Sequence, residues 1–150
     1  MSGETIGSDH AITVRPNSLL SLTTSPQSVS SLISVASVNA SGYYTVNNKD
    51  ITILKAGTYK ISSQIYIGTG FAAGDIIHNC IYQNDTKVLA EGSYRVAHEM
   101  EYSTIDVGAV IVTLSANDKI SLKAYNQTGD RGNVYSHEYN KTFLTIEKLS

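Results

Sequence analysis

A chain of 150 residues with 11 Lys+Arg against 13 Asp+Glu carries a formal net charge of −2, and its basic residues are scattered. Polyanions need clustered positive charge, so no nucleic-acid partner is expected, and no stretch approaches the ~18 apolar residues of a membrane span. Charged residues make up 16% of the chain, below the roughly 25% usual for soluble domains, which leaves Ser, Thr, Asn and Tyr to supply the polar surface.

In chain order, the start Met1-Ser2-Gly3-Glu4-Thr5 lacks the basic residues and apolar run of a signal peptide. That implies either function without such export or further sequence upstream, and residues 1–9 are expected to be a flexible leader. His10 to Val14 reads as a short strand ending at Pro16. Asn17 to Ser41 is rich in Ser and Thr but holds Leu19, Leu20, Leu22, Val29, Leu32, Ile33, Val35 and Val38. That is too apolar for a disordered linker, so short strands with Ser-rich turns are expected. Gly42 to Val46 is a strand, Asn47-Asn48-Lys49-Asp50 a turn, and Ile51 to Leu54 a strand. Thr58 to Ile67 alternates, with Tyr59, Ile61, Ile65 and Ile67 on one face and Lys60, Ser62, Gln64 and Tyr66 on the other. The loop Gly68-Thr69-Gly70-Phe71-Ala72-Ala73-Gly74 closes it. Ile76 to Tyr82 and Lys87 to Ala90 flank Gln83-Asn84-Asp85-Thr86 as a hairpin.

Cys80, the only cysteine, reads as a small buried hydrophobe and permits neither an internal disulfide nor a Cys-based metal framework. A secreted animal domain of this size often carries disulfides, so the source is expected to be bacterial or viral. Tyr94 to Ile105 is expected as the next strand. Ala109-Val110-Ile111-Val112-Thr113-Leu114 is apolar at nearly every position, as in a strand buried on both faces. Ser115-Ala116-Asn117-Asp118 turns into Lys119 to Tyr125, where Ile120, Leu122 and Ala124 oppose Lys119, Ser121 and Lys123. A polar loop, Asn126 to Asn133, precedes the aromatic stretch Tyr135 to Tyr139, and Thr142 to Leu149 is the last strand. Nine to ten strands with no room for crossover helices specify an all-β sandwich or barrel. One domain over residues 1–150 is expected, its pattern clearest over 42–149.

Three features, in order, carry a family resemblance. Gly57-Thr58-Tyr59-Lys60-Ile61 is a Gly-x-Tyr entry to a long alternating strand. Ala109 to Leu114, the turn Ala116-Asn117-Asp118 and Lys119 to Leu122 form an apolar strand, an acidic turn and a second strand. Phe143-Leu144-Thr145-Ile146-Glu147-Lys148-Leu149 is a closing strand that starts at an aromatic residue. With Gly42-Tyr43-Tyr44-Thr45-Val46 before them, they resemble the trimeric jelly rolls of tumour necrosis factor and the complement globular head over about Gly42 to Leu149. The chain departs from that family at Asn117-Asp118, where Gly-Asp is usual, and in a closing strand without the extra aromatics and glycine of the complement branch. The resemblance implies a jelly-roll sandwich of two antiparallel sheets and a homotrimer with one sheet of each subunit around a threefold axis. Neighbouring subunits would then shelter the second face of Val110–Leu114. Tyr59, Ile61, Val110, Ile111, Val112 and Phe143 are the expected contact residues.

Catalytic and metal readings find little support in the residues. His10, His78, His98 and His137 form no helical pair and have no Cys or carboxylate at zinc-like spacing. There is no Gly-x-Ser-x-Gly elbow, and no Asp-x-Asp-x-Asp-Gly spacing joins Asp75, Asp85, Asp118 or Asp130 into a calcium loop. No cofactor, metal or enzymatic activity is therefore expected. The excess of ten tyrosines is more informative. Tyr94, Tyr102, Tyr135 and Tyr139 lie among Arg95, His98, Arg131 and His137, and amphipathic rings beside hydrogen-bonding groups suit a sugar or protein surface. These eight residues are the expected ligand site. Sequons at Asn39, Asn84, Asn126 and Asn140 give no basis for glycosylation in so Asn- and Ser/Thr-rich a chain.

The sequence thus points to a non-enzymatic structural or adhesion protein: a trimeric phage fibre, baseplate or capsid-fibre domain on a virion surface. It would contact other virion proteins and a bacterial surface glycan or protein receptor, with avidity from several weak sites. The alternatives are a bacterial cell-surface or spore-coat trimerising domain, and a secreted, extracellular cytokine-like ligand.

Overall fold

The computed structural model describes residues 10–99, 102–135 and 141–150. Among these, all regular structure is extended, with no helix. The strands are β1 (Ala11–Pro16), β2 (Leu20–Ser21), β3 (Gln27–Ser28), β4 (Leu32–Val38), β5 (Tyr44–Val46), β6 (Ile51–Ile53) and β7 (Gly57–Ile67). They continue with β8 (Ile76–Gln83), β9 (Lys87–Arg95), β10 (Ser103–Leu114), β11 (Lys119–Asn126), β12 (Asn133–Tyr135) and β13 (Phe143–Lys148). The excess over nine to ten comes from β2, β3 and β12, two- or three-residue pairings too short to leave an alternating pattern in sequence.

The strands form two antiparallel sheets, the architecture of a jelly-roll sandwich. In the first sheet β10 pairs along one edge of β7, while β13 and β12 share its other edge end to end. Beyond β13 lie β1 and then β4, and β2 sits beside β12. The second sheet runs β5-β6-β11-β8-β9, and β3 pairs with β11 at Lys123 and Ala124. The Ser/Thr-rich stretch before Gly42 is built into both sheets through β2 to β4, as its apolar content predicts.

Alternation decides which side chains fill the space between the sheets. On β7, Tyr59, Ile61, Ile65 and Ile67 are wholly buried; on β11, Ile120, Leu122 and Ala124 are; from β1 and β13 come Val14, Leu144 and Ile146. Each large aliphatic side chain removed from water contributes about 1.5–3 kcal/mol. Two tyrosines enter this core with their hydroxyls satisfied: Tyr59 donates to the Lys55 carbonyl at 2.5 Å and Tyr44 to that of His10 at 2.7 Å. Their rings meet edge-on, centroids 6.1 Å apart.

Two sequence expectations are corrected. Tyr94 to Ile105 is not one strand: β9 ends at Arg95 and β10 begins at Ser103. The Val96 N–H donates to the Asp75 carbonyl and the Gly74 N–H to that of Val96, so the pairing runs one step past Arg95, and residues 97–99 then leave the sheet. His98 therefore lies in a connection and not in a strand, and Met100 lies outside the described residues. Secondly, Val110–Leu114 is not buried on both faces within the subunit. After a register shift between Val107 and Val110, Val110 and Val112 face inward and pack on the core, whereas Ile111 faces out beside Lys60.

Candidate functional site

The outward face of the first sheet is its least ordinary surface. β7 places Lys60, Ser62, Gln64 and Tyr66 there, and the ladder aligns Ile111 with Lys60, Phe143 with Gln64 and Tyr135 with Tyr66. Ile111 is 65% exposed, Tyr102 54%, Val38 52% and Val35 47%. Water contact for so many apolar side chains on one sheet face marks an interaction surface. At one end, Tyr66, Tyr102 and Tyr135 form a cluster with centroids 5.9 to 6.3 Å apart, and the Lys141 ammonium lies 4.9 Å from the Tyr66 ring. Nearby, Thr13, Arg15, Val35, Thr142 and Phe143 line a hollow of about 280 Å³.

Of the residues expected at subunit contacts, Ile111 and Phe143 point outward. Val110 and Val112 are half-buried on the inner side. Tyr59 and Ile61 belong wholly to the subunit's own core, so their side chains reach no neighbour; the alternation placed them on a buried face without saying which partner buries it. Tyr66, Val35 and Val38 share this outward face and were not among the residues expected there. Tyr66 already stood on the polar face of an alternating strand, which was the available signal.

The expected ligand residues do not converge. Tyr102 and Tyr135 join Tyr66 in the outward cluster. Tyr94 faces the opposite way, packing partly buried against the core from β9 opposite Ile77. Arg95 is exposed beside Gly74, and His98 is exposed in the connection after β9. Arg131 is committed to a structural pair: its Nε donates to Asp75 Oδ2 at 2.8 Å and its Nη2 to Oδ1. His137 and Tyr139 lie outside the described residues.

Asp75 is fully buried at this pair and also accepts from Asn126 Nδ2 at 3.1 Å and the Ala72 N–H at 2.9 Å. Burial pushes its carboxyl upward, but Arg131, Ala72 and Asn126 outweigh that and hold it below the usual carboxylate range. The other loop acids are likewise occupied by donors. Asp118 accepts from Gln83, Asn84 and the Ser115 N–H, Asp85 pairs with Lys123 at 2.7 Å, and Asp130 accepts from the Thr24 N–H. Among the described residues, no three His, Cys, Asp or Glu side chains converge on a point. Asn126, one of the sequons, is fully buried.

On the outer face of the second sheet, His78 stacks on Tyr125 with centroids 4.4 Å apart. Its Nε2 lies 2.6 Å from Gln127 Oε1, while its Nδ1 lies 2.7 Å from Ser93 Oγ and 2.9 Å from Glu91 Oε2. A nucleophile relay puts hydroxyl and carboxylate on opposite ring nitrogens; here they share one, so the arrangement clamps the ring and does not activate Ser93. Cys80 is buried beside it, opposite Lys123 and Glu91, outside the main core cluster. Burial pushes its thiol up to about 12, with the Glu91 charge adding to the effect, so it stays protonated and unreactive.

No protein-family model matches the chain, and no curated protein matches it by sequence. Solved structures do. Murine APRIL at pH 5.0 superposes with a TM-score of 0.71 at 16% identity, covering 93% of this chain and 98% of that one. The same protein at pH 8.0 gives 0.70 at 15% over the same shares. Eiger TNF from S. frugiperda gives 0.67 at 19%, covering 93% of this chain and 92% of that one. At these identities the likeness speaks for architecture, and the fold of this chain is the jelly roll of the tumour necrosis factor family.

Proposed function

We propose that the chain is a homotrimeric, non-enzymatic recognition module that acts as an extracellular, cytokine-like ligand, presenting three equivalent copies of its surface to a macromolecular partner. The observation that carries this reading is the outward face of the first sheet, where Ile111, Val35, Val38 and the tyrosine cluster stand in water on a single subunit. Second and third copies of the chain are the occupants that fit, because a threefold contact buries this face equally on every subunit and leaves no apolar edge open. The tyrosine cluster then belongs to the subunit contact and not to a ligand site. Structural neighbours in the tumour necrosis factor family favour the ligand reading over a virion fibre. The low-charge, Ser/Thr/Asn-rich composition keeps an attachment head on a particle or bacterial surface as the second reading.

Size-exclusion chromatography with light scattering tests the assembly. A mass three times the 16.2 kDa subunit is expected, and Ile111→Lys shifts the peak to the monomer; a monodisperse monomer at micromolar concentration overturns the reading. Labelled protein applied to receptor ectodomains and to bacterial cells separates the two uses. Saturable binding to an ectodomain supports the ligand, and binding to bacterial cells alone supports the attachment head.

A further inference from the structure

A hollow of about 420 Å³ lies on the opposite sheet from the proposed subunit contact. That size falls in the roughly 300–1,000 Å³ range of small-molecule sites. Lys119 and Ser121, two residues apart on β11 and both facing out, form its floor. Its walls are turns: Asn84-Asp85 between β8 and β9 on one side, Lys49-Asp50 between β5 and β6 on the other, and Asn117 from the β10–β11 turn.

Ser121 is the second observation. It is 4% exposed, and its Oγ has no hydrogen-bond partner. Buried polar atoms are almost always paired, so an orphan in the floor of a hollow marks a group awaiting a partner. Ser121 falls between the pairing of β6 at Lys119 and Ile120 and that of β3 at Lys123 and Ala124. The rim is set by three turn residues. Asn84, Asp85 and Asn117 have φ of 53°, 68° and 77°, left-handed values that non-glycine residues hold only when their surroundings fix them. Asn84 is fixed by three bonds: its N–H donates to the Lys119 carbonyl, its Oδ1 accepts the Lys119 N–H and its Nδ2 donates to Asp118.

We infer that this hollow is a binding site for one neutral sugar ring. The lining carries two ammonium groups and two carboxylates, so neither an anion nor a cation gains from entering. Asp85 is already paired with Lys123 at 2.7 Å, which leaves no open carboxylate pair for a metal. What remains is a mixture of donors and acceptors with hydroxyl groups in the floor, matched to vicinal hydroxyls that each donate and accept. The site does not depend on trimer formation, so its failure would leave the mass measurement untouched.

The test is a backbone amide chemical-shift titration of the full, isotope-labelled protein. D-glucose, D-galactose and N-acetyl-D-glucosamine are added separately to roughly 50 mM, above a millimolar Kd. Glycine and inorganic phosphate serve as charged controls. Saturable shifts with at least one sugar, confined to residues around 49–50, 84–85 and 117–121, support the site. Ser121→Ala weakens that binding about three- to tenfold, the effect of one lost neutral hydrogen bond, while holding or raising the melting temperature. Asn117→Gly, which keeps the positive φ, weakens binding similarly. The inference is overturned by the lack of saturable shifts with any sugar, by equal or stronger response to glycine or phosphate, or by Ser121→Ala binding unchanged.

Discussion

Asp75 shows how a single side chain holds one end of the sandwich. Its buried carboxylate joins the 72–75 loop to Asn126 at the end of β11 and to Arg131 in the following loop. Breaking a fully buried ion pair costs about 3–5 kcal/mol. Arg131 keeps 40% of its side chain exposed and can turn to water once released, so Asp75→Ala is expected to cost less, about 2–3 kcal/mol by urea unfolding. The pH dependence has a definite sign. A carboxyl held below its unfolded value contributes stability that is fully present above about pH 4 and is lost as pH falls through the lower folded value. Wild type should therefore lose stability on acidification below about pH 4 more steeply than Asp75→Asn, measured as melting temperature against pH. Asp75 and Arg131 lie 56 positions apart. Nothing in local spacing joined them, which is why Arg131 read as a ligand-site residue.

Among the elements, β7 was fully legible because its two faces meet different media: core on one side, the open sheet face on the other. The β10–β11 turn was legible too, and its departure from the family pattern has a simple reason. Asn117 holds φ of 77°, and Asn tolerates that left-handed region better than other side-chain-bearing residues. β10 was read less well, because an apolar run does not say which molecule covers its outer side. The break between β9 and β10 was invisible, since the run from Tyr94 to Ile105 holds no Gly, Pro, Asn or Asp to mark a turn. The close approach of those two edge strands rests on Gly92. A Cβ added there meets the Asp106 carbonyl oxygen, a backbone atom that cannot swing aside. Gly92→Ala is expected to cost about 1–3 kcal/mol by forcing the sheet edges apart, read as a lower urea midpoint with an unchanged m-value.

For the whole molecule, the open face of the first sheet makes stability a function of concentration. Folding of a subunit and association of three copies are linked, because the trimer draws on the native subunit and not on the unfolded chain. Each tenfold change in concentration is worth about 1.4 kcal/mol per association step, hence about 2.8 kcal/mol per trimer. Spread over three subunits of 150 residues, that moves the melting temperature by about 2–4 °C per decade of protein concentration. Ile111→Lys should abolish this dependence while leaving the subunit folded, because Ile111 is 65% exposed and contributes little to the core it flanks. A melting temperature of the wild-type protein that stays constant from micromolar to hundreds of micromolar would mean that the exposed Ile111, Val35 and Val38 face is left in water. The assembly by which the proposed function works would then have no thermodynamic basis.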